Sequence, residues 1–235
     1  MSPQLSTSLR QDDGIGYEVE LGSSWDANQH LSFSASTSYE RTDDFIEWAS
    51  NETVTRQDDA WLFAGDEARK VNGSQTSLDA LFAPRLTGTD QAVLPIYGAR
   101  DTRTLDFELS ADVTLSPALS VELFGQLFAA RGQYHGFQIL QTRDRLASFE
   151  AYPRRHDFAI SSFIANTVLR WEYQPGSELF VVWSQSRRQR LDDPFFFDEP
   201  GPSPFEPSTM DRMGAIFGDF PSNTFSVKLS YAITS

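Results

Sequence analysis

Polar and apolar residues alternate without a break over residues 104–115, TLDFELSADVTL. Leu105, Phe107, Leu109, Ala111, Val113 and Leu115 hold one parity, and Thr104, Asp106, Glu108, Ser110, Asp112 and Thr114 hold the other. Successive side chains of a strand point to opposite faces, so this segment has one apolar and one polar face. The beat returns near the C-terminus, where Phe225, Val227, Leu229, Tyr231 and Ile233 alternate with Thr224, Ser226, Lys228 and Ser230. Other strands are predicted in pairs joined by short turns. Tyr17, Val19, Leu21 and Trp25 precede the turn at residues 26–29, and Leu31, Phe33, Ala35, Thr37 and Tyr39 follow it. The strand ending at Leu115 turns at Ser116, Pro117 and Ala118 into Leu119, Val121, Leu123 and Leu127. Residues 165–173 and 178–187 flank Gln174, Pro175, Gly176 and Ser177. Pro presets φ, and Asp and Asn bond their own backbone, so these are turns with a mechanism. With a stub strand near Leu5, the pattern predicts an all-β antiparallel meander of about eight strands. No helix of convincing period is visible; residues 79–85 are ambiguous, and Pro84 limits them.

The remaining connections are long, at about 41–100, 132–156 and 188–222. Loops beyond about 15 residues are uncommon in compact soluble domains. Short turns at one end and long loops at the other are the asymmetry of a transmembrane barrel. Tyr17, Trp25, Tyr39, Trp48, Trp171, Tyr173, Trp183 and Tyr231 fall near strand ends, as membrane-interface aromatics do. The same residues also suit the core of a soluble sandwich. The expected architecture is a single domain over residues 1–235, an outer-membrane β-barrel or the C-terminal portion of one.

Composition narrows the function. The 235 residues carry a net charge of −14, which argues against nucleic acid as a partner, because phosphate binding needs Lys and Arg patches. Mean hydropathy is −0.39, and no run of about 20 apolar residues exists, so no helix spans a membrane. Alternating strands keep mean hydropathy low, so a membrane barrel stays open. There is no cysteine, hence no disulfide or thiolate metal site. The opening MSPQLSTSLRQ has no apolar stretch of the kind that marks a signal peptide. A cytosolic protein or a piece of a longer exported chain are the two readings of that start.

Three segments carry a resemblance: LSPALSVELFGQLFAARGQYHGFQIL (115–140), NTVLRWEYQPGSELFVVWSQSR (166–187) and PSNTFSVKLSYAI (221–233), with PIYGARDTRTLDF (95–107) in the same pattern. They resemble the C-terminal barrel of bacterial outer-membrane proteins assigned to domain of unknown function 5916. The resemblance covers the last 140 or so residues well and the first 90 weakly. It implies an outer-membrane barrel whose longer relatives carry an N-terminal sandwich like a family-9 carbohydrate-binding module. That module and the first barrel strands would then be missing partners of this chain. The end departs from the usual pattern, since Tyr231 is followed by Ala232, Ile233, Thr234 and Ser235 rather than closing on an aromatic.

Candidate chemistry sits on the polar parity. Asp106, Glu108, Asp112, Glu122, Arg170, Glu172 and Lys228 are candidates to line a lumen and select solutes by charge; the plainer reading is that a wet face is polar. Asp106 and Glu108, roughly 7 Å apart on one face, also have the spacing of a glycosidase-like carboxylate pair. His30, His135 and His156 are scattered without metal-ligand spacing. Asp43, Asp44, Asp58, Asp59, Asp66 and Glu67 could offer oxygen ligands to Ca²⁺, though without EF-hand spacing solvation explains them better. Phe195, Phe196 and Phe197 in the loop DDPFFFDEPGPSPFEP are candidate anchors for a ligand or partner. No phosphate loop or nucleophile elbow is present, and no cofactor, metal or enzyme activity is expected. The expectation is outer-membrane transport or surface binding linked to carbohydrate uptake, with lipid around the barrel and a carbohydrate ligand. A soluble glycan-binding β-sandwich or barrel, and a hydrolase on a β scaffold, are the alternatives.

Overall fold

The computed structural model describes residues 2–10, 14–64, 69–88, 90–192 and 203–232. Eleven strands form one antiparallel sheet. Eight follow one another as a meander: β1 (Ser2–Arg10), β2 (Ile15–Asn28), β3 (Leu31–Gln57), β6 (Gln91–Ser116), β7 (Leu119–Thr142), β9 (Phe158–Gln174), β10 (Ser177–Asp192) and β11 (Ser222–Ser230). The short strands β4 (Ala60–Phe63), β5 (Arg69–Lys70) and β8 (Arg145–Ser148) hang off β3 and β7. Two short helices, α1 (Gln75–Phe82) and α2 (Thr209–Ala215), lie in the long connections. The sheet is not closed: β1 pairs only with β2, and β11 only with β10, among the described residues.

The three short turns share one end of the sheet, as expected, because each joins neighbouring antiparallel strands running from the same side. They are tied sideways. The Thr114 amide donates to the His30 carbonyl, the Glu172 amide to the Ala118 carbonyl, and the Ala232 amide to the Ser177 hydroxyl. Gly176, at φ +74°, takes the left-handed position that its Pro-Gly turn requires.

The first two expected long loops, 41–100 and 132–156, are more than half strand, and the third, 188–222, is shortened by β10 and holds a helix, which corrects those boundaries. β3 runs on to Gln57, β6 begins at Gln91, β7 reaches Thr142, and α2 forms inside the last connection. At about 3.3 Å per residue the 27 residues of β3 span roughly 90 Å, far more than a bilayer crossing of about ten residues needs. The alternation breaks where the strands bulge. Register slips between Thr42 and Phe45 and again between Trp48 and Ser50 in β3, and Asp44 sits at φ +62°. In β7 the slip falls at Gly136, at φ +58°. Each extra residue flips the parity, so the period-2 pattern reads as ending where the strand continues.

Burial inverts along these long strands. Near the short turns the apolar parity is exposed: Phe225, Val227 and Leu229 are 72%, 69% and 65% accessible, and Trp25, Phe33, Phe107, Leu109, Leu115, Leu123 and Trp171 are also exposed. Tyr231 shares that exposure and Leu105 is half-buried. No second sheet covers them among the described residues. At the far end Val54, Trp61, Phe63, Val71, Leu78, Phe82, Leu94, Ile96, Ile139 and Phe149 form a dry core. α1 contributes Leu78 and Phe82 to it, and its N-terminus is capped by Ser74, whose hydroxyl accepts from the Ser77 amide. β6 keeps its parity from Gln91 to Thr114, so Ala92, Leu94 and Ile96 lie on the face that carries Asp106 and Glu108 nearer the turns. The far-end core therefore forms a cap over the polar side of the sheet.

Candidate functional site

Register gathers the polar-parity candidates into two groups. Asp112 pairs across with Glu122, and Ser120 with Arg170. These residues, with Ser116 and Glu172, line an open depression beside the short turns. Arg170 makes an ion pair with Glu178 on the next strand, and Glu172 accepts the Gly176 amide, which braces the turn. Ser32 donates to Asp112 at 3.3 Å.

The second group lies further along the sheet from the short turns. One amide, Gln126 Nε2, donates to Asp106 at 2.9 Å and to Glu108 at 3.0 Å. A single clamp thus holds both carboxylates on one face. Ser34 and Ser110 hydrogen-bond at 2.7 Å below them. Lys228 stands apart on edge strand β11, with its ammonium 5.9 Å from the Phe180 ring. Phe195, Phe196 and Phe197 lie outside the described residues, as do Asp66 and Glu67.

The polar face is less uniform than its serines suggest. Phe124 pairs across from Ser110 and Asn166, Phe128 from Asp106 and Ser162, and Phe180 from Arg170 and Lys228. Cross-strand partners share a face, so aromatic rings interleave with carboxylates, hydroxyls and amides there. The alternation in β7 had hidden this, because Phe124 and Phe128 break the polar parity and only the register assigns them a face.

Two polar clusters were not legible from the sequence. In the cap, the Tyr152 hydroxyl donates to Glu52 at 2.9 Å, and Ser50 reaches both, donating to Glu52 at 3.1 Å. His156 stacks on the Tyr152 ring with its Nε2 at the same hydroxyl, and Arg154 lies 3.6 Å from the other Glu52 oxygen. Burial, with the Glu52 carboxylate alongside, raises the Tyr152 phenol well above its ordinary pKa. The phenol is therefore a fixed donor rather than a proton carrier, and the network pins the 149–157 segment to β3. Tyr152→Phe is expected to destabilise the cap by about 1–3 kcal/mol, since a buried carboxylate loses a donor; urea unfolding followed through the cap aromatics measures it.

The second cluster joins three strands. Asp44, Asp101 and His135 bring one ligand atom each within 4.8 Å of one another. The Asp44 amide donates to Asp101 at 3.0 Å, and His135 Nε2 lies 3.5 Å from Asp44 and 3.6 Å from Asp101. Two carboxylates and an imidazole could hold a divalent ion, and a protonated imidazole serves equally as the counter-charge. The bulge at Asp44 and the one at Gly136 create this meeting, so no spacing in the sequence foretold it.

A family model described as a domain of unknown function, DUF5916, matches residues 4–234. No curated protein and no solved structure matches the chain. A model that spans nearly the whole sheet, from β1 to the end of β11, covers both the exposed apolar band and the cap: the chain belongs to the DUF5916 family.

Proposed function

We propose that this chain is wall and cap of a bacterial outer-membrane β-barrel that binds or passes a polar, carbohydrate-like solute. The observation that carries the membrane part is the inversion of burial along single strands. An exposed apolar parity in water would be an aggregation liability, whereas in lipid it is the favoured surface. The aromatics support it: Trp25, Trp171 and Tyr173 collect at the turn end, and Tyr17 and Tyr39 lie 6.1 Å apart toward the other end of the band. The open edges of β1 and β11 leave unpaired backbone groups, which lipid does not tolerate, so further strands complete the wall.

The carbohydrate part rests on the resemblance and on the make-up of the polar face. A sugar offers hydroxyls to carboxylates and an apolar C–H face to rings. Asp106, Glu108 and Asn166 beside Phe124 and Phe128 offer both. The test is retention of oligosaccharides by membranes holding the full-length protein. Replacing Glu108 by Ala is expected to weaken retention roughly tenfold or more, as loss of a charge-assisted hydrogen bond does. Unchanged retention in both Glu108→Ala and Phe124→Ala would remove the carbohydrate reading and leave the membrane reading standing. A hydrolase is less well supported, because Asp106 and Glu108 share one clamp rather than facing each other across a cleft.

A further inference from the structure

Residues 203–221, leading into β11, run back along one face of the sheet. α2 packs on β6, β7 and β9 on the apolar parity, where Ala129, Ala159 and Ser161 are buried with Met213 and Ile216. A capping box at Ser208 and Asp211 starts the helix. Arginines fasten it. Arg131 donates to the Phe205 and Pro207 carbonyls, Arg212 to the Pro204 carbonyl at 3.0 Å, and Arg187 to the Phe217 and Asp219 carbonyls at 2.8 Å. The Phe217 ring sits 5.3 Å from Phe163, an outward side chain of β9.

Three large apolar side chains of this segment stay exposed, Phe217 while resting against Phe163 and the Arg187 guanidinium. Phe220 is 99% accessible, and Met210 and Phe217 are exposed too. Their height is informative. Phe163 and Arg131 lie about a dozen residues from the short turns, roughly 30 Å once strand tilt is allowed for, where an apolar band about 25 Å tall ends. The exposed residues continue the outward band at its upper edge rather than forming an isolated patch.

Charge marks the same level. Arg41 pairs with Arg103 across β3 and β6, and Arg103 with Arg131 across β6 and β7, so three arginines form one outward row. Arg212 is a further electrostatic neighbour of Arg131. Asp43 accepts from Arg41 and Arg103, and Asp211 lies near Arg131, yet four arginines against two aspartates leave the row positive in a chain of net charge −14. A basic row above an apolar band matches the order of layers in a leaflet, with phosphate over acyl chain.

We infer that residues 208–220 form an interfacial foot, which sets Met210, Phe220 and the open side of Phe217 into the outer leaflet at the level that the arginine row marks. This deepens the membrane reading and rests on it. The absence of cysteine from the chain makes the test clean. Single variants Phe220→Cys and Leu229→Cys of the full-length protein are spin-labelled in phosphatidylcholine vesicles containing phosphatidylglycerol. Collisions with oxygen and with a water-soluble nickel chelate report depth. Leu229→Cys should read deep lipid and Phe220→Cys shallow lipid. Phe220→Cys reading water while Leu229→Cys reads lipid overturns the foot and spares the barrel. Water at both positions overturns both. A Phe220→Cys label shielded from both reagents shows a protein partner there and also overturns the foot.

Discussion

Replacing Leu109 by Arg should largely abolish membrane assembly, while Glu108→Gln, one residue away, should leave it intact. Leu109 lies on the exposed apolar parity and pairs with Ala35 and Gly125 on the same face. An arginine facing lipid near mid-bilayer costs about 2–4 kcal/mol. That is a large fraction of the 5–15 kcal/mol by which an ordinary fold is stable. Glu108 faces the other way and is held by Gln126; a neutral amide in its place keeps the hydrogen bond. Heat-modifiable migration on gels of the membrane fraction separates folded from unfolded protein. Equal loss in both variants would contradict the assignment of faces.

Phe82→Ala should unfold the cap and leave the wall standing. Phe82 is fully buried and meets Trp61 edge-on at 5.2 Å and Phe149 at 5.7 Å. Truncating a buried Phe to Ala costs about 3–5 kcal/mol, because the lost ring leaves a cavity that close packing cannot refill. The cap core is one small cluster, so that cost is most of what it has. Limited proteolysis should cut within residues 57–91 in the variant and spare the β9–β10 hairpin. Wall and cap lost together would mean that the cap is not a separate unit of stability.

The strands that cross the apolar band were plain in the sequence, because each meets two different environments and alternates accordingly. Residues 104–115 and 222–230 are such segments, and the three short turns carried their own chemistry in Pro-Gly and Asp-Asn residues. The upper halves of β3 and β7 were hidden for a physical reason. Asp44 and Gly136 adopt positive φ, insert a residue and reverse the parity, so a continuing strand looks like irregular loop. α1 was faint because it is eight residues long and ends beside Pro84. α2 is shorter still and owes its place to arginines on distant strands. The candidate acids were legible as a polar parity, yet their grouping was not. Gln126 joining Asp106 to Glu108, and Tyr152 joining Glu52 to His156, are contacts made by register and by folding back. The two partners of the Tyr152–Glu52 bond lie 100 residues apart.

The most direct test of the wall is a cysteine scan of residues 104–113 in β6, one position at a time, in membranes. Each thiol is read with a membrane-impermeant reagent and with a lipid-borne quencher. Lipid contact at 105, 107, 109, 111 and 113, alternating with aqueous access at 104, 106, 108, 110 and 112, is the result a barrel wall gives. Shielding of the odd positions from both lipid and water, as between two packed sheets, would contradict it.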